Sequence, residues 1–399
     1  MIAVAEGTQT RTLGIDLAIY GLSAAFAAIT AATSTLLPHR AWGAVATAGY
    51  AVAAIAVVVQ LVRRRWGTRE RALVAAFAFA ATALLPMVIQ AVQRANGRTD
   101  RAQEEVVVVE HGGERLLEHG TPYLSSDTIA TLPPGEQLLG YLPYQPGMAL
   151  FGLPRAAAGD AWWTDARIWF AVVTIAALAL AIRQLQWGPA LLRALQLGTV
   201  IPLVPLTLST GGDDIPVLSL CLLALALCAT RRYGAAGIAV GLAAALKLFA
   251  WPVVAVLLVH ALTAGRRPAA RLAAGAIGLP AAALLPAVLV DATAFVDNVI
   301  RFPLGEGVVT SPAQSPFPGY LIAENLPGGR AIAAALLAAA AVAIAVWLAR
   351  RPPRTAAAAA AVCGYGLLAA ILLMPSTRFG YLLYPVAFLA WVPALRRPA

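Results

Sequence analysis

Apolar runs of about twenty residues recur along almost the whole chain, and a helix needs a run of this length to cross a bilayer. Such runs lie near residues 14–37, 42–62, 72–93, 166–186, 190–210, 214–230, 271–290, 331–349, 355–374 and 379–395. The 399 residues are 60% hydrophobic and only 12% charged, whereas soluble domains are about 25% charged. The sequence therefore predicts an all-α polytopic membrane protein, a single domain over 1–399 with about 12 hydrophobic helical segments.

Arginine placement predicts how the chain is threaded. Arginines cluster in the short connections at 63–71, 231–232, 266–267, 350–354 and 396–397, and cytoplasmic loops carry such an excess of positive charge. We therefore expect a multi-pass plasma-membrane protein with both termini cytoplasmic. The loops at 94–165, at 291–330 and around Ser376 are then external. Because the net charge of +10 is spread over loop anchors rather than a groove, no nucleic-acid partner is predicted.

The predicted external loop at 94–165 is too long for a plain connector. At about 100° per residue, its apolar residues between 106 and 117 share one face of a helix over about 103–118, as in an amphipathic helix on a membrane surface. Glu105 and Glu110 flank that face, and a positioned carboxylate could act as a general base on a hydroxyl group. Glu105 is the first candidate and Glu110 the second. The alternative is a solvated polar face, with Arg101 and Glu105 as an ion pair.

Lys247 is the only lysine of the chain and lies in an apolar stretch, Gly241 to Pro252. The arginine clusters at 231–232 and 266–267 leave only about 15 residues for each arm of a hairpin, which predicts a short helical hairpin with Lys247 close to its turn. A lysine in a membrane costs on the order of 2.5–3.5 kcal/mol and usually marks a site. The alternative is a side chain that extends to the interface.

Asp213 and Asp214 follow two glycines at the external start of an apolar segment. They could bind sugar hydroxyls or a metal, or simply cap a helix and occupy its first turn. No second acidic cluster has the spacing of metal ligands, so no metal site is predicted. Arg301 and Arg378 lie near the predicted external face, where a guanidinium could clamp a lipid-linked phosphate or anchor a helix end to headgroups.

Five tyrosines lie near the same predicted face and suit either stacking on a sugar ring or the interfacial aromatic belt. They are Tyr123, Tyr144, Tyr320, Tyr381 and Tyr384. Of these, Tyr123 and Tyr381 are the ones we predict to bind substrate.

Four short motifs carry a resemblance to a known family. They are the acidic loop helix leading into Gly120-Thr-Pro-Tyr123, Gly211-Gly-Asp-Asp214, Gly241-Leu-Ala-Ala-Ala-Leu-Lys247, and Arg378-Phe-Gly-Tyr381 before a last helix with Pro385 and Trp391. From about residue 72 onward the chain resembles the GT-C superfamily of membrane glycosyltransferases, most closely the bacterial family 87 group that includes polyprenyl-phosphomannose-dependent mannosyltransferases. Residues 72–399 then form the GT-C-like region, and 1–71 supply two extra N-terminal helices.

The resemblance implies a reaction as well as a fold. An acid of the large loop, best matched by Glu105, deprotonates an acceptor hydroxyl that attacks the anomeric carbon of a sugar carried on a polyprenyl phosphate, with inversion. Mannose is the favoured sugar, the acceptor is a lipid or glycan of the cell envelope, and membrane lipids surround the chain. Arg301, Arg378 and Lys247 are the cations available for the donor phosphate, so no cofactor is expected.

Two other functions are compatible with the sequence. A transporter or flippase of lipid-linked sugars would also place charges within the membrane, but matching broken helices in two halves of the chain are not evident. A non-catalytic scaffold could use the long loop to recruit a partner, but it gives no role to Lys247.

Overall fold

The computed structural model describes residues 2–64 and 67–396, with side chains from residue 9 onward. In this part of the chain the structure is helical, and the one extended pairing is a parallel bridge between Gln314 and Thr377. The first ten α-helices are α1 (Ile2–Thr33), α2 (Leu37–Val62), α3 (Thr68–Phe79), α4 (Leu85–Ala95), α5 (Glu104–His119), α6 (Ser126–Thr131), α7 (Gln137–Gly140), α8 (Leu153–Ala158), α9 (Ala166–Ile182) and α10 (Pro189–Thr199).

The second half of the chain continues in the same way. Its helices are α11 (Leu203–Thr210), α12 (Asp214–Ala229), α13 (Tyr233–Leu246), α14 (Trp251–Ala264), α15 (Arg266–Val290), α16 (Ala292–Val296), α17 (Phe302–Leu304), α18 (Pro318–Asn325), α19 (Gly329–Arg350), α20 (Ala356–Leu373) and α21 (Leu383–Trp391). Short 3₁₀ segments lie at Pro146–Phe151, Trp162–Thr164, Leu248–Ala250 and Phe379–Leu382, and π-helical turns at Ala80–Leu84 and Asp297–Arg301.

Six helical segments within the described residues are long and apolar enough to cross a membrane. They are Gln9–Thr33, Leu37–Val62, Thr68–Ala95, Arg266–Val290, Gly329–Arg350 and Ala356–Leu373. A seventh is possible if α10 and α11, which meet at a bend of 46°, count as one span. The predicted count of about 12 is therefore not confirmed. The other apolar helices have 10–17 residues, and at 1.5 Å per residue they reach about 26 Å at most, short of a hydrocarbon core of about 30 Å.

Helix α12 lies at the centre of the bundle. Every side chain from Ile215 to Cys228 is buried, as expected for a helix that is apolar on all sides. Beside it, α13 and α15 approach closely at Gly237, Gly241 and Gly275, where an added methyl group would collide with the backbone of the other helix. Small residues allow this backbone-to-backbone packing between membrane helices.

The first two helices pack against the rest of the bundle through buried polar contacts. Asp16 of α1 accepts from Arg71 at 2.5 Å and pairs with Arg193 at 2.8 Å. Trp42 of α2 donates its ring N–H to the carbonyl of Thr82 at 2.8 Å. These contacts hold α1 and α2 in one place relative to α3 and α10.

The loop helix predicted over about 103–118 is confirmed as α5, Glu104–His119. Val106 and Val109 from its apolar stripe are fully buried and belong to the main hydrophobic core. Gly113 of α5 lies against the backbone of Gly152, at a distance that leaves no room for a side chain. The apolar stripe of α5 therefore packs largely on protein, which fixes the helix over the end of the bundle.

Candidate functional site

A cavity of about 1320 Å³ opens at one end of the bundle. Its walls include residues from all three loops that the sequence predicts to be external, together with residues of α11, the start of α12 and Lys247, which follows α13. Six of the nine predicted site residues line it, namely Glu105, Asp213, Asp214, Lys247, Arg378 and Tyr381. Most of the remaining lining is apolar, which is usual for a pocket that binds a small molecule.

Lys247 lies at the base of the cavity between two carboxylates. Its ammonium group is 2.7 Å from Asp213 Oδ2 and 2.6 Å from Asp214 Oδ1. The hydroxyl of Tyr384 donates to the same Asp214 oxygen at 2.7 Å. All four side chains are buried, and a buried lysine persists as a charged group only when it is paired in this way.

The local sequence explains why Lys247 reaches this position. Helix α13 ends at Leu246, the backbone of Lys247 is extended at φ −154° and ψ 144°, and a 3₁₀ turn leads into α14. Pro252 stands in the first turn of α14, where the absence of an N–H group is tolerated. The predicted turn of the hairpin is therefore found at Lys247, and its side chain pairs internally rather than extending to the interface.

Aromatic rings and a backbone contact complete the bottom of the cavity around Lys247. Lys247 Nζ is 4.9 Å from the ring centre of Tyr144 and 5.5 Å from that of Tyr381, within the range of cation–π attraction. The loop at 94–165 is tied here because Gln145 donates its backbone N–H to the carbonyl of Leu246 at 3.1 Å. Burial, with the negative charges of Asp213 and Asp214 adding to it, raises the pKa of the Tyr144 phenol well above its usual value. Tyr144 therefore stays protonated and neutral.

Asp213 and Asp214 stand at the start of α12 as the capping alternative expects, with Asp214 in the first turn, but the capping hydrogen bond is absent. Asp213 occupies the N-cap position of α12, but its side chain caps no backbone N–H. Both carboxylates instead face Lys247, and both line the cavity. Gly212 has φ +92°, a left-handed conformation that favours glycine, and it turns the chain so that the two acids follow directly.

Glu105 stands on another part of the cavity wall, in the first turn of α5. One carboxylate oxygen forms an ion pair with the guanidinium of Arg378. The other, Oε2, is buried and has no hydrogen-bond partner among the described residues. A buried carboxylate oxygen without a donor is rare in folded proteins and calls for an explanation such as a ligand or a catalytic role.

Backbone contacts hold Glu105 in place. Gln103, just before α5, donates its N–H to the carbonyl of Thr210 at 2.8 Å, and its side-chain oxygen accepts from the Thr210 hydroxyl at 2.9 Å. A methyl group on Gly211 would lie 3.1 Å from Gln103 Oε1 and 3.6 Å from Glu105 Oε2. The start of α5 is therefore docked on the turn that leads to Asp213 and Asp214. The ion pair between Arg101 and Glu105, the alternative from the sequence, does not form, because Arg101 pairs with Asp100 at 2.6 Å.

Arg378 comes from the connection between α20 and α21. Its neighbour Thr377 exchanges backbone hydrogen bonds with Ala313 and Ser315, at 2.9 and 2.8 Å. The Ser315 hydroxyl also accepts from the N–H of Phe379 at 2.9 Å. The loop at 291–330 thus fixes the segment that carries Arg378.

The charges around the cavity do not balance. Glu104, Glu105, Asp213 and Asp214 supply four formal negative charges, whereas Lys247 and Arg378 supply two positive ones. Both carboxylates at the base contact Lys247 directly, so its charge is already compensated. Arg378, with 30% of its side chain exposed, is the cation of this group that a ligand reaches most readily.

Glu110 does not line the cavity. Its carboxylate accepts from both terminal nitrogens of Arg94, at 3.0 and 2.8 Å, and from the backbone N–H of Ala166 at 3.2 Å, and it forms an ion pair with Arg155 at 3.3 Å. Arg94 also binds Asp165 at 2.6 Å. Burial alone would raise the pKa of Asp165, but the charges and hydrogen bonds of Arg167 and Arg94 lower it instead. Glu110 thus belongs to a buried ion-pair network that joins α4, α5 and α9.

Arg301 and Tyr123 also lie outside the cavity lining. Arg301 is 54% exposed and pairs with Asp297 at 2.8 Å, one turn earlier in the same helical stretch. Tyr123 is buried and donates its hydroxyl to the carbonyl of Tyr144 at 2.8 Å. Tyr123 therefore supports Tyr144 beneath the cavity rather than facing a ligand.

Some lining residues carry no clear signal in the sequence. His39 and Gln103 line the cavity, but the first lies at the start of an apolar run and the second precedes the acidic helix without a motif. Tyr144 and Tyr384 are visible in the sequence only as members of the aromatic group. No group of three or more histidine, cysteine or acidic residues within 2–64 and 67–396 is arranged to hold a metal ion.

Comparison with known proteins gives one match. The model of glycosyltransferase family 87 matches residues 141–376, more than half of the chain, which includes Asp213, Asp214 and Lys247. No curated protein and no solved structure matches the sequence. The matched range begins well after Glu105 and ends two residues before Arg378, so both members of the ion pair lie outside it.

Proposed function

Because the chain belongs to glycosyltransferase family 87, we propose that it moves a hexose, with mannose favoured, from a polyprenyl phosphate to a lipid or glycan acceptor of the cell envelope. The observation that carries this proposal is the pair formed by Glu105 and Arg378 on the wall of one large cavity. It sets a carboxylate oxygen with no donor beside a cation that a ligand can reach. Sugar transfer from a phosphate donor needs both groups close together, a carboxylate to accept the proton of the acceptor hydroxyl and a cation to bind the donor phosphate.

Glu105 is the proposed general base. Its Oε2 accepts the proton of an acceptor hydroxyl while that oxygen forms a bond to the anomeric carbon of the donor sugar. The bond from the anomeric carbon to the phosphate oxygen breaks on the opposite face, and the polyprenyl phosphate leaves with the electron pair. A single displacement of this kind inverts the anomeric configuration. The buried, unpaired state of Oε2 supports the assignment, because the hydroxyl would supply the missing hydrogen-bond donor.

Arg378 is the proposed partner of the donor phosphate. Guanidinium groups bind phosphate through paired, charge-assisted hydrogen bonds, and a fixed cation stabilises charge that develops on a leaving phosphate. A phosphate that engages Arg378 competes with Glu105 for the guanidinium, so donor binding would release the carboxylate for its role as base. Lys247 is a weaker candidate because two carboxylates already neutralise it. Arg301 is weaker still, since it lies away from the cavity lining.

The sugar of the donor is proposed to bind over the base of the cavity. Asp213 and Asp214 present carboxylate oxygens that can accept from sugar hydroxyls, and Tyr381 offers a ring for stacking. Phe249 extends this aromatic floor, with its ring 4.8 Å from that of Tyr381. Tyr123 contributes indirectly through its hydrogen bond to Tyr144, and Glu110 through the network that anchors α5.

The placement in the membrane is also a proposal. We take residues 1–399 as one integral domain in the plasma membrane, with residues 1–71 as added helices, both termini cytoplasmic and the cavity external. Two facts support it. The helices include at least six that could span a bilayer, and the cavity is lined by residues of the three loops predicted to be external and by none of the described residues of the arginine clusters.

The deciding experiment is sugar transfer by the purified protein in nanodiscs. Radiolabelled polyprenyl-phosphomannose is the donor, a membrane lipid extract supplies acceptors, and Glu105→Gln is compared with wild type. We expect a labelled glycolipid or glycan from wild type and none above background from Glu105→Gln. If wild type forms no product from mannose or any other polyprenyl-phosphate sugar, the proposal fails, and movement of the lipid-linked sugar across the bilayer would favour the transporter.

A further inference from the structure

The wall of the cavity beside Gln103 comes from the two N-terminal helices. Ser23 and Phe26 of α1 and His39 of α2 line it, although the family model begins only at residue 141. His39 also lies close enough to the side chain of Gln103 to interact with it, two residues before Glu105. This wall therefore meets the loop helix α5 at its first turn, which carries the proposed general base Glu105.

The position of His39 is fixed by packing. Gly43, one turn further along α2, lies against the backbone of Ala27 and Ala31, so close that a methyl group would collide. Trp42 is buried and bonded to Thr82, and Phe26 packs edge-on against Trp42 at 6.3 Å between ring centres. These contacts fix the backbone of α2 close to His39, which lines the cavity.

The cavity lining offers both charged and neutral groups. Arg378, paired with Glu105, suits a phosphate. Gln103, His39 and Ser23 form a neutral wall, whose amide, imidazole and hydroxyl groups are donors and acceptors suited to hydroxyl groups, and Glu104 adds a second carboxylate beside Glu105. Gln103 Oε1 and Glu105 Oε2 both face the space above Gly211. A hydroxyl held by Gln103 would therefore be within reach of the oxygen that has no donor.

An apolar surface continues from this neutral wall. Leu22 is 72% exposed on α1, and it lines the cavity together with Phe26, Leu203 and Leu206. The last two belong to α11, just after the bend that separates it from α10. A ligand that bridges the neutral wall and this surface must carry hydroxyl groups at one end and a hydrocarbon chain at the other.

We infer that His39, Gln103 and Ser23 form the acceptor subsite, and that its ligand is the hydroxyl-bearing headgroup of a glycolipid whose tail lies on α1 and α11. The inference rests on the proposed function and assigns acceptor selection to the N-terminal helices. His39 and Gln103 are positioning residues in this arrangement. They hold the headgroup so that one hydroxyl meets Glu105 Oε2, and they take no part in the bond changes.

The first test is binding, measured without the donor. Octyl α-mannoside is titrated into wild type and into His39→Ala, His39→Gln and Gln103→Leu, all in nanodiscs, with methyl α-mannoside and octanol as separate probes of head and tail. His119→Ala is the matched control, because His119 is an exposed histidine at the end of α5. Losing one hydrogen bond should weaken octyl mannoside about three- to tenfold, with His39→Gln less affected and His119→Ala unchanged. Equal binding by wild type, His39→Ala and Gln103→Leu, or no binding by wild type, would overturn the subsite.

Steady-state transfer then separates the subsite from the reaction itself. In His39→Ala we expect the acceptor KM to rise about three- to tenfold, whereas the donor KM stays within about twofold of wild type. A purely structural effect would move both constants and the melting temperature together. If His39→Ala transfers sugar with an unchanged acceptor KM, the subsite is wrong and the proposed transferase function stands. If octyl mannoside binding depends on His39 but wild type transfers no sugar, the subsite stands and the proposed function is wrong.

Discussion

Glu105 and Arg378 form an ion pair on the cavity wall although they are far apart in the sequence. Only one carboxylate oxygen is used in this pair, and the other is buried without a donor in the described structure. An arrangement made only for stability would be expected to satisfy both oxygens, as the network around Glu110 does. The geometry of the pair therefore favours a role in ligand binding, and substitutions of these two residues test the proposed function most directly.

Glu105→Gln should lower the rate of sugar transfer by about 10²–10⁴-fold, the range that general base catalysis contributes. The amide keeps the shape of the side chain but cannot accept the proton. Glu104→Gln is the matched control, since Glu104 is the neighbouring acid of the same helical turn and also lines the cavity. It should retain most of the activity. Equal losses in the two variants would show that negative charge at the start of α5 matters rather than one base.

Arg378→Gln should raise the KM for the polyprenyl-phosphate donor by about 10- to 100-fold, as expected for the loss of charge-assisted hydrogen bonds. The donor KM of Arg378→Lys should lie between those of Arg378→Gln and wild type, because an ammonium keeps the charge but loses the fork geometry. Arg301→Gln serves as control, since Arg301 is paired with Asp297 and largely exposed. If Arg301→Gln raises the donor KM as much as Arg378→Gln does, the phosphate assignment is wrong.

Lys247→Met should destabilise the protein by about 3–5 kcal/mol, because it leaves two buried carboxylates without their cation. Thermal unfolding in detergent measures this change. Adding Asp214→Asn to the same chain should recover part of the lost stability, since one of the two uncompensated charges is removed. A double variant no more stable than Lys247→Met would show that the charge cluster is not what holds this part of the bundle.

Glu110→Gln should destabilise the chain by about 1–3 kcal/mol, the cost of weakening hydrogen bonds to a buried charged partner. Arg94 would keep Asp165 as its second partner. Per folded molecule, the transfer rate should fall far less than in Glu105→Gln, and the two readouts are the melting temperature and the rate for the folded fraction. A rate loss as large as that of Glu105→Gln, with an unchanged melting temperature, would restore Glu110 as the base.

Much of the fold could be predicted because it depends on local sequence. Long apolar runs predict helices, and α5 appears where the periodicity places it, at Glu104–His119. The break at Lys247 also follows from length, since the flanking arms are too short for two full spans. The number of membrane spans could not be predicted from the sequence. A mostly apolar stretch of 16 residues such as α12 has the same composition whether it crosses a bilayer or lies buried among other helices.

A helical chain with an acidic loop helix and a lone lysine between two apolar arms can be predicted from local sequence, because hydrophobic periodicity and segment length act over neighbouring residues. Which charged groups meet depends instead on how the helices pack. Glu105 and Glu110 are five positions apart on one helix, so they point about 140° apart, and packing alone turns the first toward the cavity and the second toward Arg94. The pairing of Lys247 with Asp213 and Asp214 likewise depends on contacts between distant segments, for which helical periodicity carries no information.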